Sequence, residues 1–243
     1  MNNENKIPKI IHYCWFGKKD KPDFIINCIN SWKKELVDYK IIEWNEENFN
    51  INCNEFVKDA YESEKFAFVS DYVRMFALYS YGGIYLDTDV EVINSFNDYL
   101  NNDSFWGFEA GNYIATSTIG AKKHNKLIKE FIDEYKNKKF INKDGSYNIE
   151  TNVKIVSSVL VKYGVELNGN YQEIQGLATI YPLEIFSPYD YRYFEDKRDN
   201  RTVAIHHYYK SWLSKSVKCK QILKKIIIKI IGIKSYKYIL ENK

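Results

Sequence analysis

FVSDYVRMFALYSYGGIYLDTDV, Phe68 to Val90, is the stretch on which the reading of the fold turns. Extended back to Lys65, its first part has no proline and no internal glycine and is rich in Phe, Val, Met and Leu, so it predicts a helix. Gly82-Gly83 supplies the stop. An apolar strand follows, with Asp87 and Asp89 at its end. Residues two apart on a strand point to one side, so a strand continued through Asp89 would set both carboxylates together. Open α/β sheets bind ligands beyond such strand ends. The pair suits a divalent cation with phosphates, a nucleophile with its acid, or a solvated turn. On the preceding helix, Asp71 and Arg74 are three residues apart and share a face. At the surface such a pair is worth little. Buried, it needs partners, and a charged, hydroxyl-rich ligand is one.

Upstream, KIIHYCWFG (Lys9 to Gly17) reads as a buried strand. PDFIINCINSWKKEL reads as a helix with Phe24, Cys28, Ile29 and Trp32 on one face, and YKIIEWNEEN (Tyr39 to Asn48) as a second strand. Strand, helix, strand at this spacing predicts a parallel α/β sheet. Downstream, SFWGFEAGNYIATSTIGAKK reads as strands and loops, and HNKLIKEFIDEYKNKKF and ETNVKIVSSVLVKYG as helices. ATIYPLEIFSP and RTVAIHHYY read as late strands. His206 and His207 alternate on the last of these, so only one can face a site shared with the two aspartates. His12, inside a buried strand, reads as a hydrogen-bonded core histidine, and His124 as a solvated residue at a helix start. Trp32 and Trp44 read as core.

Of the 243 residues, 45% are apolar, enough for a proper core and against wholesale disorder. A formal charge of +3 is too small to imply nucleic acid as a partner. The four cysteines, Cys14, Cys28, Cys53 and Cys219, form no CxxC pair, which argues against a structural zinc site and fits a reducing cytoplasm. The N-terminus lacks a signal-peptide core, and no apolar run is long enough to span a bilayer. The last segment, KCKQILKKIIIKIIGIKSYKYIL, differs in kind. On a helix, Gln221, Lys224, Lys225 and Lys229 share a face with Ile228, and Ile222, Ile226, Ile227, Ile230 and Ile231 fall opposite. Such a helix is a candidate for an anionic membrane surface, or it packs on the domain with its lysines solvated.

The run from Phe68 to Val90 resembles the signature of glycosyltransferase family 32: a Ser-Asp-x-x-Arg helix, a Gly-Gly turn, then Tyr-Leu-Asp-x-Asp. It is similar to the same block in glucosylating clostridial toxins and in capsular polysaccharide glycosyltransferases. IPKIIHYCWFG and YKIIEWNEEN resemble the family's first two strands, and IYPLEIFSP and AIHHYYKSW its late blocks, so the resemblance runs from Ile7 to Trp212. It implies a GT-A fold, a mixed, mainly parallel sheet flanked by helices, over residues 7–213, with 214–243 as a basic amphipathic C-terminal segment. It implies a retaining transferase that uses Mn²⁺ or Mg²⁺ and a nucleotide-sugar donor, a UDP-sugar favoured. The acceptor would be a glycan or lipid-linked chain in bacterial surface polysaccharide synthesis, and the enzyme cytoplasmic and peripheral on the inner face of the membrane. The catalytic candidates are Asp71, Arg74, Asp87 and Asp89, with Asp71 and Arg74 holding the donor sugar. Asp89, Asp87 and His206 are the metal candidates, with His207 second to His206. Trp15 would stack on the base, Tyr85 lie near the sugar, and Ser211 and Trp212 close over the diphosphate.

The chain departs from the family pattern where a Gly-Pro often precedes the helix beginning near ETNVKIV, and where Tyr208 and Lys210 replace a Trp and a Gly. Both departures bear on the acceptor and on loop closure. Two other readings use the same acids. Haloacid-dehalogenase-type phosphatases carry DxD after an apolar strand, but prefer Thr or Val where Glu91 stands here. A degenerate sugar-binding protein is the other; retention of Trp15, Asp71, Arg74, Asp87 and Asp89 argues against it.

Overall fold

A computed structural model of the chain describes residues 6–209 and 215–241, with the backbone alone for 215–222, 237, 240 and 241. In chain order the elements are β1 (Ile10–Cys14), α1 (Asp23–Glu35), β2 (Lys40–Trp44), α2 (Glu55–Glu62), α3 (Phe66–Tyr81), β3 (Gly83–Leu86) and β4 (Val90–Val92). There follow β5 (Ser104–Glu109), β6 (Tyr113–Ile114), β7 (Thr118–Ala121), α4 (Lys126–Glu134), α5 (Asn152–Lys162), β8 (Gln172–Ile174) and β9 (Ala178–Tyr181). The chain continues through α6 (Leu183–Phe186), β10 (Tyr189–Asp190), β11 (Glu195–Asp196), β12 (Ala204–His206), α7 (Lys215–Ile231) and α8 (Ile233–Glu241).

The central sheet runs β2-β1-β3-β7-β5-β9-β8, with β6 paired to β5. Strands β2, β1 and β3 are parallel, as the strand-helix-strand spacing requires. The sheet is not mainly parallel beyond them. β7 is antiparallel to both β3 and β5, β8 is antiparallel to β9, and only the β5–β9 pair is parallel again. The reason is local: the turns joining β5, β6 and β7 are short, and a parallel return needs a long crossover. LEIF after Pro182 is a short helix rather than a continued strand, and α2, capped by Asn54, lies in a stretch with no prior assignment.

Apolar side chains cover both faces of the sheet. Phe56, Val69, Val73, Phe131 and Leu160 pack on one face from α2, α3, α4 and α5. Ile25, Trp32, Phe96 and Phe186 pack on the other, Trp32 also donating its indole N–H to the Val90 carbonyl. The turn from α3 into β3 depends on glycine. Gly83 has φ +109°, and a Cβ there would come within 2.5 Å of the Ile10 carbonyl oxygen on β1. His12 closes the same junction. Its Nδ1 accepts from Trp44 Nε1 at 3.2 Å, so its Nε2 carries the proton and donates to Gly82 O at 2.8 Å. Burial pushes its pKa down to about 4, and the ring is a neutral core group.

α7 is helical, as its periodicity requires. Ile228 is buried, whereas Leu223, Ile226, Ile227 and Ile230 are exposed. No helix among the described residues is long and apolar enough to cross a membrane.

Candidate active site

The two aspartates meet for a different reason than strand alternation. β3 ends at Leu86, and Asp87 to Asp89 form a turn closed by the Val90 N–H on the Asp87 carbonyl at 3.0 Å. The chain then leaves the central sheet, and β4 pairs antiparallel with β12, His206 opposite Val90. That pairing lays His206 beside the turn. One ligand atom each from Asp87, Asp89 and His206 falls within 4.8 Å of the others, the sole such group among the described residues.

Asp89 is held from two sides. One carboxylate oxygen accepts the Tyr209 N–H at 2.7 Å, and the other lies 3.4 Å from His206 Nε2. Burial pushes the Asp89 carboxyl up, but the His206 charge and hydrogen bond and the Tyr209 N–H outweigh it and hold it below the ordinary range. For His206, burial acts downward and Asp89, with Asp87 and Glu109, reverses it, so the imidazole is raised. Its Nδ1 is buried with no partner among the described residues, and Tyr208 lies over the ring at 3.9 Å between centroids. His207 is turned away: its Nε2 bonds Glu91 at 2.9 Å and its ring meets the edge of Phe24. The second metal candidate is therefore not in the group, because neighbouring residues on a strand face opposite sides.

Asp71 and Arg74 reach the same place from α3. The Arg74 guanidinium lies 3.0 Å from Asp71 and 3.3 Å from Asp87, and donates to the Thr116 carbonyl at 2.5 Å. It also stands 4.7 Å from the centre of the Tyr85 ring. Burial opposes the Arg74 charge, but the Asp87 and Asp71 carboxylates more than compensate. With its side chain only 6% exposed, Arg74 is no open hand for a ligand; it neutralises and aims the two acids. Tyr85 is likewise buried, and its hydroxyl donates to Asp87 at 3.0 Å, so it supports Asp87 from beneath. Asp71 keeps some exposure, and burial raises its carboxyl to about 6 against the pull of Arg74.

Trp15, half-buried past the end of β1, donates its indole N–H to the Lys19 carbonyl at 2.6 Å, and the Lys21 ammonium stands 5.4 Å from its ring centre. Ser211 and Trp212 lie outside the described residues. Two groups at the site escape a reading of the sequence. Asn152, the first residue of α5, is buried beside Asp71 and favours its charged form, yet neither side-chain atom reaches hydrogen-bonding geometry with any group among the described residues. The signal was the polar ETN preceding an apolar helix, which reads equally well as a cap. Glu109, at the end of β5, is close enough for its charge to act on His206, Tyr208 and Tyr191.

Two carboxylates and an imidazole make a donor set that fits Mn²⁺ or Mg²⁺. The buried His206 Nδ1, without a hydrogen-bond partner among the described residues, leaves the imidazole's orientation to be set by its Nε2 side, where the two carboxylates lie.

Comparison with known proteins agrees. Residues 22–106 match the family described as "Glycosyltransferase sugar-binding region containing DXD motif". The match takes in Asp71, Arg74, Tyr85, Asp87 and Asp89 and leaves Trp15 and the histidines outside. The chain is 31% identical over 113 residues to inositol phosphoceramide mannosyltransferase 1 of Schizosaccharomyces pombe, covering 41% of this chain and 33% of that protein. It is 30% identical over 132 residues to inositol phosphoceramide mannosyltransferase 3 of the same organism, covering 52% and 37%. The chain thus spans about a third of the length of these curated relatives. Among solved structures, the PaToxG glycosyltransferase superposes with a TM-score of 0.50 at 18% identity, over 64% of this chain and 69% of that one. The likeness is one of fold: a mixed α/β sheet flanked by helices. Residues 22–106, about a third of the chain, are thus similar to the sugar-binding region that contains a DXD motif.

Proposed function

We propose that this glycosyltransferase chain moves a sugar, with retention, from a nucleotide-sugar donor to a glycan or lipid-linked acceptor in a metal-dependent reaction. The observation that carries the reading is the meeting of Asp87, Asp89 and His206, brought from two distant segments, above the Arg74–Asp71 pair. Residues 7–213 are taken as the catalytic unit and 214–243 as its appendage. Asp89, His206 and Asp87 hold Mn²⁺ or Mg²⁺, which supplies neutralisation of the charge gathering on a departing nucleoside diphosphate. Arg74 and Tyr85 fix Asp87. Asp71 and Asn152 take hydroxyls of the donor sugar, which would satisfy the unpaired amide. Trp15 offers its face to the base, and Ser211 and Trp212 close over the diphosphate.

In the transfer step the bond from the anomeric carbon to the diphosphate breaks, and the acceptor oxygen bonds that carbon on the same face. The diphosphate oxygen takes the acceptor's proton. Glu109, whose charge acts on His206, is a further carboxylate that a double displacement could use. A UDP-sugar is the first donor. A mannosyl donor is the second, because both curated relatives are named mannosyltransferases. The setting is bacterial surface polysaccharide synthesis, with the enzyme cytoplasmic and peripheral on the inner membrane face. A phosphatase with Asp87 as nucleophile is less well supported, since Asp87 Oδ1 is tied to Tyr85 and Arg74. A hydrolysis screen across UDP- and GDP-sugars with Mn²⁺ tests the reading. One donor should be turned over only with metal; turnover of none, or of phosphate monoesters instead, overturns it.

A further inference from the structure

Helix α7 sits on the protein with the opposite face from the one an ordinary docked helix buries. Its inward side carries Lys224 and Ile228, with the exposed Lys225 at its margin. The Lys224 ammonium stands 6.0 Å from the Tyr193 ring centre and 5.5 Å from that of Tyr236, and Lys225 stands 5.9 Å from that of Phe194. Ile228 is 6% exposed. The outward side is apolar: Leu223 is 59% exposed, Ile226 49%, Ile227 38% and Ile230 76%. Spacings of three, four and seven residues place these four in one stripe along the helix. Soluble chains rarely leave such a stripe to water.

We infer that this stripe seats on an anionic lipid surface. Charge decides among occupants. From residue 215 to 243 the sequence holds nine lysines and one acid. A second copy laid on the same face would bring two strongly positive segments together, which like-charge repulsion opposes. A nucleic acid would answer the lysines but not the isoleucines. The boundary of an anionic bilayer answers both, taking the stripe into the acyl region while exposed lysines such as Lys229 and Lys234 meet headgroups. The stripe is independent of the donor chemistry. The seat has a consequence for it, however. The loop between β10 and β11 carries Tyr193 and Phe194 under the helix, and also Tyr191, whose ring lies 4.6 Å from that of Tyr208. Tyr208 in turn lies 3.9 Å from His206. A helix seated on lipid therefore brings the His206 side of the site toward the bilayer, where a lipid-linked acceptor would be met.

The test is flotation of the full chain with vesicles of phosphatidylcholine alone and of phosphatidylcholine with phosphatidylglycerol. The wild type should float with the anionic vesicles only and be released by high salt. The combined variant Leu223→Gln, Ile226→Gln, Ile227→Gln and Ile230→Gln changes exposed positions to another good helix former, so its thermal unfolding should match the wild type. Its partition onto anionic vesicles should fall at least about tenfold. Unchanged flotation of that variant, equal flotation of the wild type with neutral vesicles, or a wild-type dimer that the variant converts to monomer would each overturn the inference.

Discussion

Arg74→Leu removes the one cation that, among the described residues, is placed against both Asp71 and Asp87. The guanidinium is 3.0 and 3.3 Å from these carboxylates, donates to the Thr116 carbonyl at 2.5 Å, and is almost fully shielded from water. Leucine leaves a largely buried carboxylate at Asp71, a second at Asp87 and an unpaired carbonyl. Removing one partner of a buried ion pair costs about 3–5 kcal/mol. In a chain of this length that lowers the melting temperature by about 6–20 °C. The sign with pH follows from Asp71, whose pKa is already raised to about 6 by burial. Between its unfolded value and 6 the folded state binds the extra proton, so stability falls as pH rises through that window. Without Arg74 the carboxyl rises further and the fall continues above pH 6. The gap between wild type and variant should thus widen from mildly acidic to mildly alkaline pH. Adding Asp71→Asn should recover much of the loss. Circular-dichroism melts without metal or nucleotide read all of this. A melting temperature within about 2 °C of wild type, or a gap that ignores pH, would refute the assignment of Arg74 as the neutralising cation.

Three further outcomes are expected. His12 stays neutral down to about pH 4 when folded but takes a proton near 6.5 when unfolded, so stability should drop by roughly 3 kcal/mol as pH falls between those values. Urea unfolding at both ends of the range measures it, and His12→Phe should flatten the profile. His206→Ala should weaken Mn²⁺ binding by at least about tenfold in calorimetry, whereas His207→Ala should leave it within about twofold; equal effects would mean the triad is misassigned. Asn152→Ala loses no well-formed hydrogen bond to the described residues, so unfolding should shift by less than about 1 kcal/mol. Donor hydrolysis in that variant should still fall by at least about tenfold, and full activity there would remove Asn152 from the sugar site.

How much of this was legible in the sequence depends on range. The helix from Phe66 to Tyr81 and the Gly-Gly turn were plain, because glycine is what a φ of +109° against the Ile10 carbonyl demands. Asp71 with Arg74 followed from helical spacing alone. Trp32 was readable as core from its helical spacing with Cys28 and Ile29, and His12 from its place in an apolar strand; both are buried, as is Trp44. The aspartates were read for the wrong local reason: alternation on a strand aligns them on paper, but the chain turns at Asp87 so that β4 can pair with β12. No local pattern could show that pairing, since it joins residues more than a hundred positions apart. The antiparallel β7 and β5 stayed hidden because short apolar runs do not reveal strand direction. Tyr85 was expected beside the ligand, yet it is buried, with its ring against the Arg74 guanidinium and its hydroxyl on Asp87. For α7 the period was right, but period says nothing of which face turns inward.

The most direct test of the central claim is donor hydrolysis by Asp89→Ala with Mn²⁺ present, using the donor found in the screen. The Asp89 carboxylate closes the group with His206 and Asp87, so the folded variant should lose metal-dependent hydrolysis and transfer altogether. Full turnover by a folded Asp89→Ala protein would contradict the account.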